Sequence, residues 1–410
     1  MEIPEHHFPN GFAISGPPRA VGTIIDQHRS GGVRAIRQKI EKLPALSIAL
    51  SWLISEVVRE GRRDLKTRVN DLAMEPDGSL VHRNGSITPF WLTAKALDQL
   101  LKLMEAPPHA GSYLAAIPTH RRAVEVNSIL RHNGNQDRPV VLRLRQGQEG
   151  FDNHEVFSVV TPRYTPIDPD TIARRLLDVA ESDGQLAKSK TEVIYTGERT
   201  SIRLYQESNV ATNQLGIDEA FASVLGLMLG DDKMQGIHVD LSALRSACLN
   251  LMLVKADSQG LFRARHLGDR HQLTHQILQA VTCGADLLPE FMKTYQAAAK
   301  VMVEDPVLVI EHLTGGLTGK KTGSQIQVAG VKPRMLTDRV IDAWHQESDP
   351  TQKGICNALT KAAHTYRWPS IWTSRDLERQ ASLLLATPEP RFRRLIDIPP
   401  EHVQVPAHAA

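Results

Sequence analysis

The stretch VVLRLRQGQEGFDNHEVFSVVTPRYTPIDPDTIARRLLDVAE, residues 140–181, decides which fold the sequence predicts. Val140, Leu142 and Leu144 fall on one face of a strand, because successive side chains of a strand point to opposite sides. A second apolar run at 156–161 follows a polar loop, so the two runs predict a pair of strands. The pair then leads into a helix.

That helix is predicted to begin at Asp168, which has the short acceptor side chain of an N-cap. Pro169 suits the first helical position, where no backbone N–H is needed. Ile172, Leu176 and Val179 recur at helical spacing and form the stripe that the helix should bury.

Further strands and helices follow along the chain. TEVIYTGERTSIRLYQES at 191–208 predicts a hairpin with its turn at 196–199, and SALRSACLNLMLV at 242–254 is typical of a helix. Beyond residue 270 the helical spacing predicts helices at 271–303, 333–347, 352–367 and 374–386. The expected fold class is α+β: a short antiparallel β-sheet of hairpins or a meander, backed by helices and followed by a mainly helical C-terminal region.

Length and composition set the broad class. A chain of 410 residues exceeds what one small core holds, so several packed units are expected. The formal net charge is only +2, so an anionic partner would have to be bound by a local patch. The three cysteines lie far apart without CxxC spacing, which fits a reducing cytoplasm. No apolar run reaches the roughly 20 residues of a membrane helix, so no membrane partner is expected.

Changes in pattern divide the chain into four predicted units. Residues 1–68 form a basic arm with helices, containing 11 Lys and Arg against 7 Asp and Glu. Residues 69–270 form the α+β core, and 271–386 form the helical region with a Gly/Lys loop near 314–324. Residues 387–410 are rich in proline without periodicity, which predicts a loosely ordered tail.

The polar face of the predicted sheet carries Arg143, Arg145, Arg203 and Tyr205. Arginine contacts phosphates bidentately and an aromatic ring stacks on bases, so this face is a candidate surface for a nucleic-acid backbone. The alternative is an ordinary solvated face, whose arginines pair with glutamates across strands and contribute little to stability.

Other patterns do not complete a catalytic, cofactor or metal site. GGLTGKKTGS at 315–324 has three residues between its glycines instead of four, and Lys321 stands where a phosphate loop needs Ser or Thr. It is better explained as a flexible basic turn, whose Lys320 and Lys321 could still touch DNA. His271 and His275 could share a helix face, but no further ligand pattern accompanies them. The sequence therefore predicts no enzyme.

Several stretches between residues 65 and 386 together carry a family resemblance. They are ITPFWLTAKALDQLLKLMEAPPHAGSYLAAIP at 87–118, VNSIL at 126–130, VLRLR with EVFSVVTPRYTPID at 141–168, LGDDKMQGIHVDLSALRSACLN at 229–250, FRARHLG at 262–268, GICNALTKAAH at 354–364 and RDLERQASLLL at 375–385. In this order they resemble the phage- and plasmid-borne family known as domain of unknown function 932. VDLSAL at 239–244 departs from that family, which has an Asn-Ser-Glu step there.

The resemblance implies similarity to the single-strand annealing superfamily of Red-beta, RecT and the Rad-type annealers. Those proteins form rings or helical filaments and hold single-stranded DNA in a basic groove without nucleotide hydrolysis. The expected function is therefore ATP-independent binding and annealing of single-stranded DNA in a phage or plasmid recombination system. The expected partners are single-stranded DNA, further copies of the chain, and an exonuclease or single-strand-binding protein.

This expectation assigns roles to particular residues. Phosphates would be bound by Arg143, Arg145, Arg163 and Arg203, bases would stack on Tyr164 and Tyr205, and the opposite wall would consist of Arg263, Arg265 and His266. Arg163 and Tyr164 could instead form a turn clamp, and Arg265 with His266 a structural hydrogen-bonding pair.

Two functions of other classes stay open. One is a plasmid or phage maintenance or regulatory protein that acts through protein contacts of its helical half. The other is a metal-dependent enzyme acting on nucleic acid through His266, His271 and His275.

Overall fold

The structure is a computed structural model. It describes residues 19–21, 32–83, 89–132, 137–146, 154–212, 220–230, 236–245, 251–254, 262–283, 288–315, 326, 328 and 330–397. Within them the fold is α+β, with antiparallel sheets backed by helices and a mostly helical C-terminal region, which confirms the predicted fold class. No described helix is long and apolar enough to cross a lipid bilayer.

The described residues form thirteen strands in two sheets. In chain order the strands are β1 Arg19–Val21, β2 Arg63–Arg68, β3 Leu72–Met74, β4 Ser79–His82, β5 Phe90–Leu92, β6 Pro139–Gln146, β7 His154–Val160, β8 Lys190–Tyr195, β9 Arg199–Thr212, β10 Ala220–Gly230, β11 Ile237–Arg245, β12 Leu251–Val254 and β13 Phe262–Ala264.

Fourteen helices accompany the strands in the described part of the chain. They are α1 Gly32–Glu41, α2 Leu46–Arg59, α3 Ala94–Leu103, α4 Ala110–Ala116, α5 Thr119–Arg131, α6 Pro169–Ser182, α7 Gly184–Ala187, α8 Arg270–Cys283, α9 Leu288–Ala299, α10 Pro306–Thr314, α11 Pro333–His345, α12 Gln352–Thr365, α13 Ile371–Leu385 and α14 Glu389–Leu395. A 3-10 turn lies at Val69–Asp71.

The first sheet has the strand order β2-β6-β7-β5-β4-β3. Its pairs are antiparallel apart from β5 with β7, which is parallel. Leu142 of β6 and Val156 of β7 are buried together with Leu97 and Leu100 of α3 and Val126 of α5. This first core covers one face of the sheet.

The second sheet has the order β1-β8-β9-β10-β11-β12, with β13 also paired to β11, and all its pairs are antiparallel. Val193, Ile202, Leu227 and Val239 lie directly across from one another on four neighbouring strands. This apolar face belongs to a second core that includes residues of α2 and α6 and continues into the C-terminal helices. The second core therefore joins residues on both sides of the predicted boundary near residue 270.

Several predicted elements are confirmed. The strand pair of the stretch at 140–181 is β6 with β7, and α6 begins at Pro169. The predicted hairpin is β8 with β9, and its turn is closed by a hydrogen bond from the Thr196 N–H to the Arg199 carbonyl. The helices predicted at 333–347, 352–367 and 374–386 correspond to α11, α12 and α13.

The helix predicted at 242–254 is wrong. Strand β11 runs to Arg245, and residues 251–254 form β12, whereas residues 246–250 lie outside the described part. Strand β11 pairs with β10 from His238 to Arg245, so it has a partner along almost its whole length. This pairing outweighs the local helical pattern, because strand preference depends mainly on the neighbours that a segment packs against.

The prediction of a loosely ordered tail at 387–410 is wrong for residues 389–395. Residues 389–395 form α14, and the Phe392 side chain is 0% exposed in the second core. Pro390 stands in the first turn of this helix, where proline needs no hydrogen-bond acceptor. One buried aromatic residue thus anchors a segment whose composition alone predicts disorder.

We expect Phe392→Ala to lower the free energy of unfolding by about 3–5 kcal/mol, because it removes a large side chain from a packed core. Urea denaturation of the full chain measures this change. Arg391→Ala alters the exposed neighbour and is the matched control, with an expected change within about 0.5 kcal/mol. Equal stabilities of the two variants would contradict the docking of α14.

Candidate functional site

The polar face of the first sheet lies inside the molecule. Arg143 is 2% exposed and forms ion pairs with Asp64 at 3.2 Å and with Asp168 at 2.8 Å. Asp64 lies directly across from Arg143 on β2, whereas Asp168 immediately precedes α6. Asp168 therefore binds arginine with its carboxylate and makes no side-chain cap of α6. These contacts connect the first sheet to a helix of the second core.

Arg145 is held on the same face by Glu155, its cross-strand neighbour on β7, with 2.5 Å between Nε and Oε2. Burial opposes the charge of this guanidinium, but Glu155, Glu60 and Glu198 outweigh burial and raise the pKa of Arg145. Gly197 in the β8–β9 turn has φ +76°, and a Cβ there would lie 2.1 Å from Nη1 of Arg145. The turn thus requires glycine both for its conformation and for its close approach to Arg145.

Three arginines surround the ring of Phe157. The guanidinium carbons of Arg62, Arg143 and Arg145 lie 5.0, 5.2 and 5.7 Å from the ring centroid, within cation–π range. Arg62 also donates to the Tyr195 hydroxyl at 2.7 Å and so reaches the second sheet. We call Arg62, Arg143, Arg145 and Phe157 the arginine junction, since they join the two sheets.

Arg203 and Tyr205 lie on β9 of the second sheet, beneath α13. Arg203 is 5% exposed and forms ion pairs with Glu378 of α13 and, at 3.7 Å, with Glu192 across the strands. Arg375 of α13 adds a 2.8 Å ion pair with Glu192. The Tyr205 hydroxyl donates to Glu192 at 3.4 Å. The polar face of this sheet is therefore also an internal interface.

The charges of this second network stabilise one another. Burial opposes the charge of Arg203, but Glu378 and Glu192 outweigh it and raise the pKa of the guanidinium. Burial likewise opposes ionisation of Glu378, but Arg203 and His364 outweigh it and lower the pKa of that carboxyl. Burial raises the pKa of Glu192 and of Tyr205. The network binds α13 to the sheet.

The predicted solvent-facing row of Arg143, Arg145, Arg203 and Tyr205 is therefore wrong. These residues belong to two different sheets, and each is buried with acidic partners. A buried guanidinium needs counter-charges, and breaking such a pair costs several kcal/mol. Asp64, Glu155 and Glu192 lie directly across the strands from the three arginines. Correct pairing of the strands from the sequence would have identified these acids as the arginines' partners.

We expect Arg203→Met to lower the free energy of unfolding by about 3–5 kcal/mol, because it removes one of the two buried arginines that pair with both Glu192 and Glu378, and Arg375 is then left with two buried carboxylates. Arg163→Met, at an exposed arginine, is the control and should change stability by less than about 0.5 kcal/mol. Urea denaturation at neutral pH distinguishes the two, and a silent Arg203→Met would contradict a tightly coupled network.

The structure brings the segment of Arg163 and Tyr164 together with that of Arg265 and His266. The Thr165 N–H donates to the His266 carbonyl at 2.8 Å, and the Tyr164 and His266 rings stack with centroids 4.7 Å apart. His266 is buried, and its Nδ1 lies 3.1 Å from the Thr165 carbonyl. We call this contact of Tyr164 and His266 the clamp; it differs from the turn clamp predicted for Arg163 with Tyr164, because Arg163 is exposed. Arg143 lies 5.6 Å from the Tyr164 ring.

The arginines beside this clamp point outward. Arg163, Arg263 and Arg265 are exposed, and no carboxylate of the described residues forms an ion pair with them. Helices α6 and α8 follow these two segments in the chain and carry five further basic side chains, Arg174, Arg175, Arg270, His271 and His275, interspersed with Asp170 and Asp178. We call these eight basic residues the basic surface.

Helices α6 and α8 also enclose a groove within the basic surface. Its volume is about 380 Å³, and its lining includes the basic Arg175, His271 and His275 together with the acidic Asp178. Ion pairs in this region are solvent-exposed and span 3.4–3.7 Å: Arg174 with Asp170, Arg175 with Asp178 and Arg270 with Asp168. Pairs of this kind contribute about 0–1 kcal/mol each, so a competing anion can displace them.

The pKa of His238 is affected by burial and by the positive charge of Arg263. It lies directly across from Arg263 in the second sheet. Burial, together with Arg263 and with Arg379 of α13, lowers the pKa of His238 to about 4. The folded protein therefore holds this imidazole neutral at pH 7.

Because the pKa of His238 is lower in the folded protein than its usual value of about 6.5, its contribution to stability is present above pH 6.5. That contribution is lost progressively as the pH falls from 6.5 towards 4. We expect His238→Gln to lose less stability over this interval than the parent does, as measured by urea denaturation at pH 7, 5.5 and 4. Exposed His271→Gln is the control, and parallel curves for His238→Gln and the parent would contradict the assignment.

Two further predicted features gain no support from the described residues. Lys320 and Lys321 lie outside the described part of the chain. Nowhere in the described ranges do three or more His, Cys, Asp or Glu side chains form a group that could hold a metal ion, and this includes the region of His266, His271 and His275.

Comparison with known proteins adds no assignment. No family model, no curated protein and no solved structure matches the chain. The resemblance drawn from the sequence motifs therefore stays a prediction.

Proposed function

We propose that the protein binds single-stranded DNA and anneals complementary strands without ATP, as part of a phage or plasmid recombination system. The observation that supports this proposal is the basic surface. Thr165 and His266 are in contact although they lie 101 positions apart in the chain. The two segments that they join expose Arg163, Arg263 and Arg265 to solvent. A rigid clamp beneath exposed arginines suits the binding of a regularly charged backbone.

The free-energy cost of breaking existing ion pairs distinguishes the arginines of the basic surface from the buried arginines. Arg143, Arg145 and Arg203 would have to leave buried partners, at a cost of several kcal/mol each. Arg270, by contrast, would exchange an exposed ion pair worth about 0–1 kcal/mol. Phosphate binding is therefore assigned to the basic surface.

This arrangement also suits annealing. The Tyr164 ring is occupied by His266 and Arg143, and Tyr205 is buried, so neither of these aromatic side chains offers a free face for stacking. Binding at the basic surface then depends mainly on phosphates, whose neutralisation releases counterions. Base edges left free of aromatic contacts remain available to a complementary strand. Copies of the chain side by side would extend the bound strand.

We expect a fluorescently labelled single-stranded oligonucleotide to bind with an affinity that falls steeply with salt, as measured by fluorescence anisotropy. Arg163→Glu with Arg265→Glu should weaken binding at least about tenfold at low salt. The slope of log affinity against log salt should become shallower by about 1.4, since each lost phosphate contact on a single strand contributes about 0.7.

Arg121→Glu with Arg131→Glu is the matched control, because both arginines are exposed on α5, which packs in the first core. The proposal predicts near-parental binding for this pair. Binding that is equally weak in both double variants would place DNA elsewhere. Absence of binding at low salt by folded parent protein would overturn the proposal and favour a maintenance or regulatory protein that acts through protein contacts.

A further inference from the structure

A second concave site lies where three parts of the fold meet. Its volume is about 260 Å³. Lys95 of α3 reaches it from the first core, Glu198 and Arg199 from the β8–β9 turn, and Trp372 and Asp376 from α13. The arginine junction and the ion pairs under α13 connect these three parts of the fold.

The side chains of this pocket match the chemistry of a nucleotide. The Arg199 guanidinium carbon lies 5.8 Å from the Trp372 ring centroid, and bases stack on aromatic side chains with cation–π contributions from arginine. Lys95 and Glu198, which line the same pocket, form a 3.1 Å ion pair at 25% and 14% side-chain exposure. Asp376 supplies a polar group for a base edge, whereas the hydroxyls of Thr196 and Ser370 already contact the backbone of Arg199 and Trp372.

The pocket is close to the basic surface. Ser201, Met228, His238 and Arg263 lie directly across from one another on four strands, and Arg199 is two residues before Ser201. Three strand spacings of about 4.8 Å separate Ser201 from Arg263 by about 14 Å, and the two residues along β9 to Arg199 add about 7 Å in the perpendicular direction. The resulting distance of about 16 Å corresponds to about five nucleotide steps at the 3.4 Å spacing of one DNA strand.

Positive charge continues between the two sites. Arg379 of α13 acts electrostatically both on Asp376 in the pocket and on His238, and His238 is also next to Arg263. Arg379 therefore lies within electrostatic range of both the pocket and the neighbour of Arg263.

We propose that this pocket takes one unpaired nucleobase of the bound strand, stacked on Trp372, with the adjacent phosphates on Arg199 and Lys95. The inference rests on the proposed function, because it assumes that a strand occupies the basic surface. It adds a source of selectivity. A base that is paired in a duplex cannot enter a pocket without leaving its partner, so the site favours single strands.

The test combines variants with altered oligonucleotides in the anisotropy assay. We expect Trp372→Leu to weaken binding of a single-stranded oligonucleotide about 5- to 150-fold, the range of one lost base–aromatic stack. Trp372→Phe should retain most of the affinity, because it keeps an aromatic face. Weak binding to a duplex should be the same in all three proteins.

Parent protein supplies a measurement that does not depend on how the variants fold. An oligonucleotide of the same length that lacks bases but keeps every phosphate should bind the parent as weakly as the intact oligonucleotide binds Trp372→Leu. Equal parental affinity for the two oligonucleotides would overturn the pocket proposal.

The two proposals fail in different ways. If Trp372→Leu binds like the parent while Arg163→Glu with Arg265→Glu binds weakly, the pocket is excluded and the basic surface stands. If the folded parent binds no single-stranded oligonucleotide at low salt, both proposals fall.

Discussion

Buried ion pairs between arginines and acids connect the main parts of this protein. Arg143 joins the first sheet to the start of α6, and Arg203 joins the second sheet to α13. Each guanidinium is out of water, so its desolvation must be offset by acids held at fixed positions. The positions of α6 and α13 are coupled to the sheets through these pairs. The clamp of Tyr164 and His266 builds on them, since Tyr164 also contacts Arg143.

The same physics sorts the arginines by what they can do. An arginine that is paired in the interior stabilises the fold and is expensive to redirect, whereas an exposed one exchanges water or a weak partner for a phosphate at little cost. Arg163 and Arg143 illustrate the contrast, because Arg163 is exposed beside Tyr164 and Arg143 is buried against the ring of that tyrosine. Net charge carries none of this information, since +2 over the whole chain conceals a local basic surface.

Local patterns predicted those elements whose stability is local. Alternation identified β6 and β7, a proline after Asp168 located the start of α6, and turn residues located the bend between β8 and β9. The wrong predictions concern elements whose structure depends on contacts with distant parts of the chain. Strand β11 is defined by its pairing with β10, and α14 is ordered because Phe392 finds a place in the second core. Among the candidate site residues, Arg163, Arg263 and Arg265 are exposed, which their predicted role in binding DNA requires, whereas the pocket at Trp372 had no signal in the sequence.

The sequence by itself determined the α+β class, helices such as α6, α11, α12 and α13, the β8–β9 hairpin, and which arginines alternate with apolar residues along each strand. Only the tertiary structure decided which side of each sheet faces water. Alternation separates two faces of a strand, but it cannot show that a second layer covers the polar one. That depends on acids and helices from distant parts of the chain, such as Glu378 of α13 beneath which Arg203 lies. Because these acids and helices cover the polar face, the surface that was expected to bind an external anion is an interface whose arginines bind internal carboxylates.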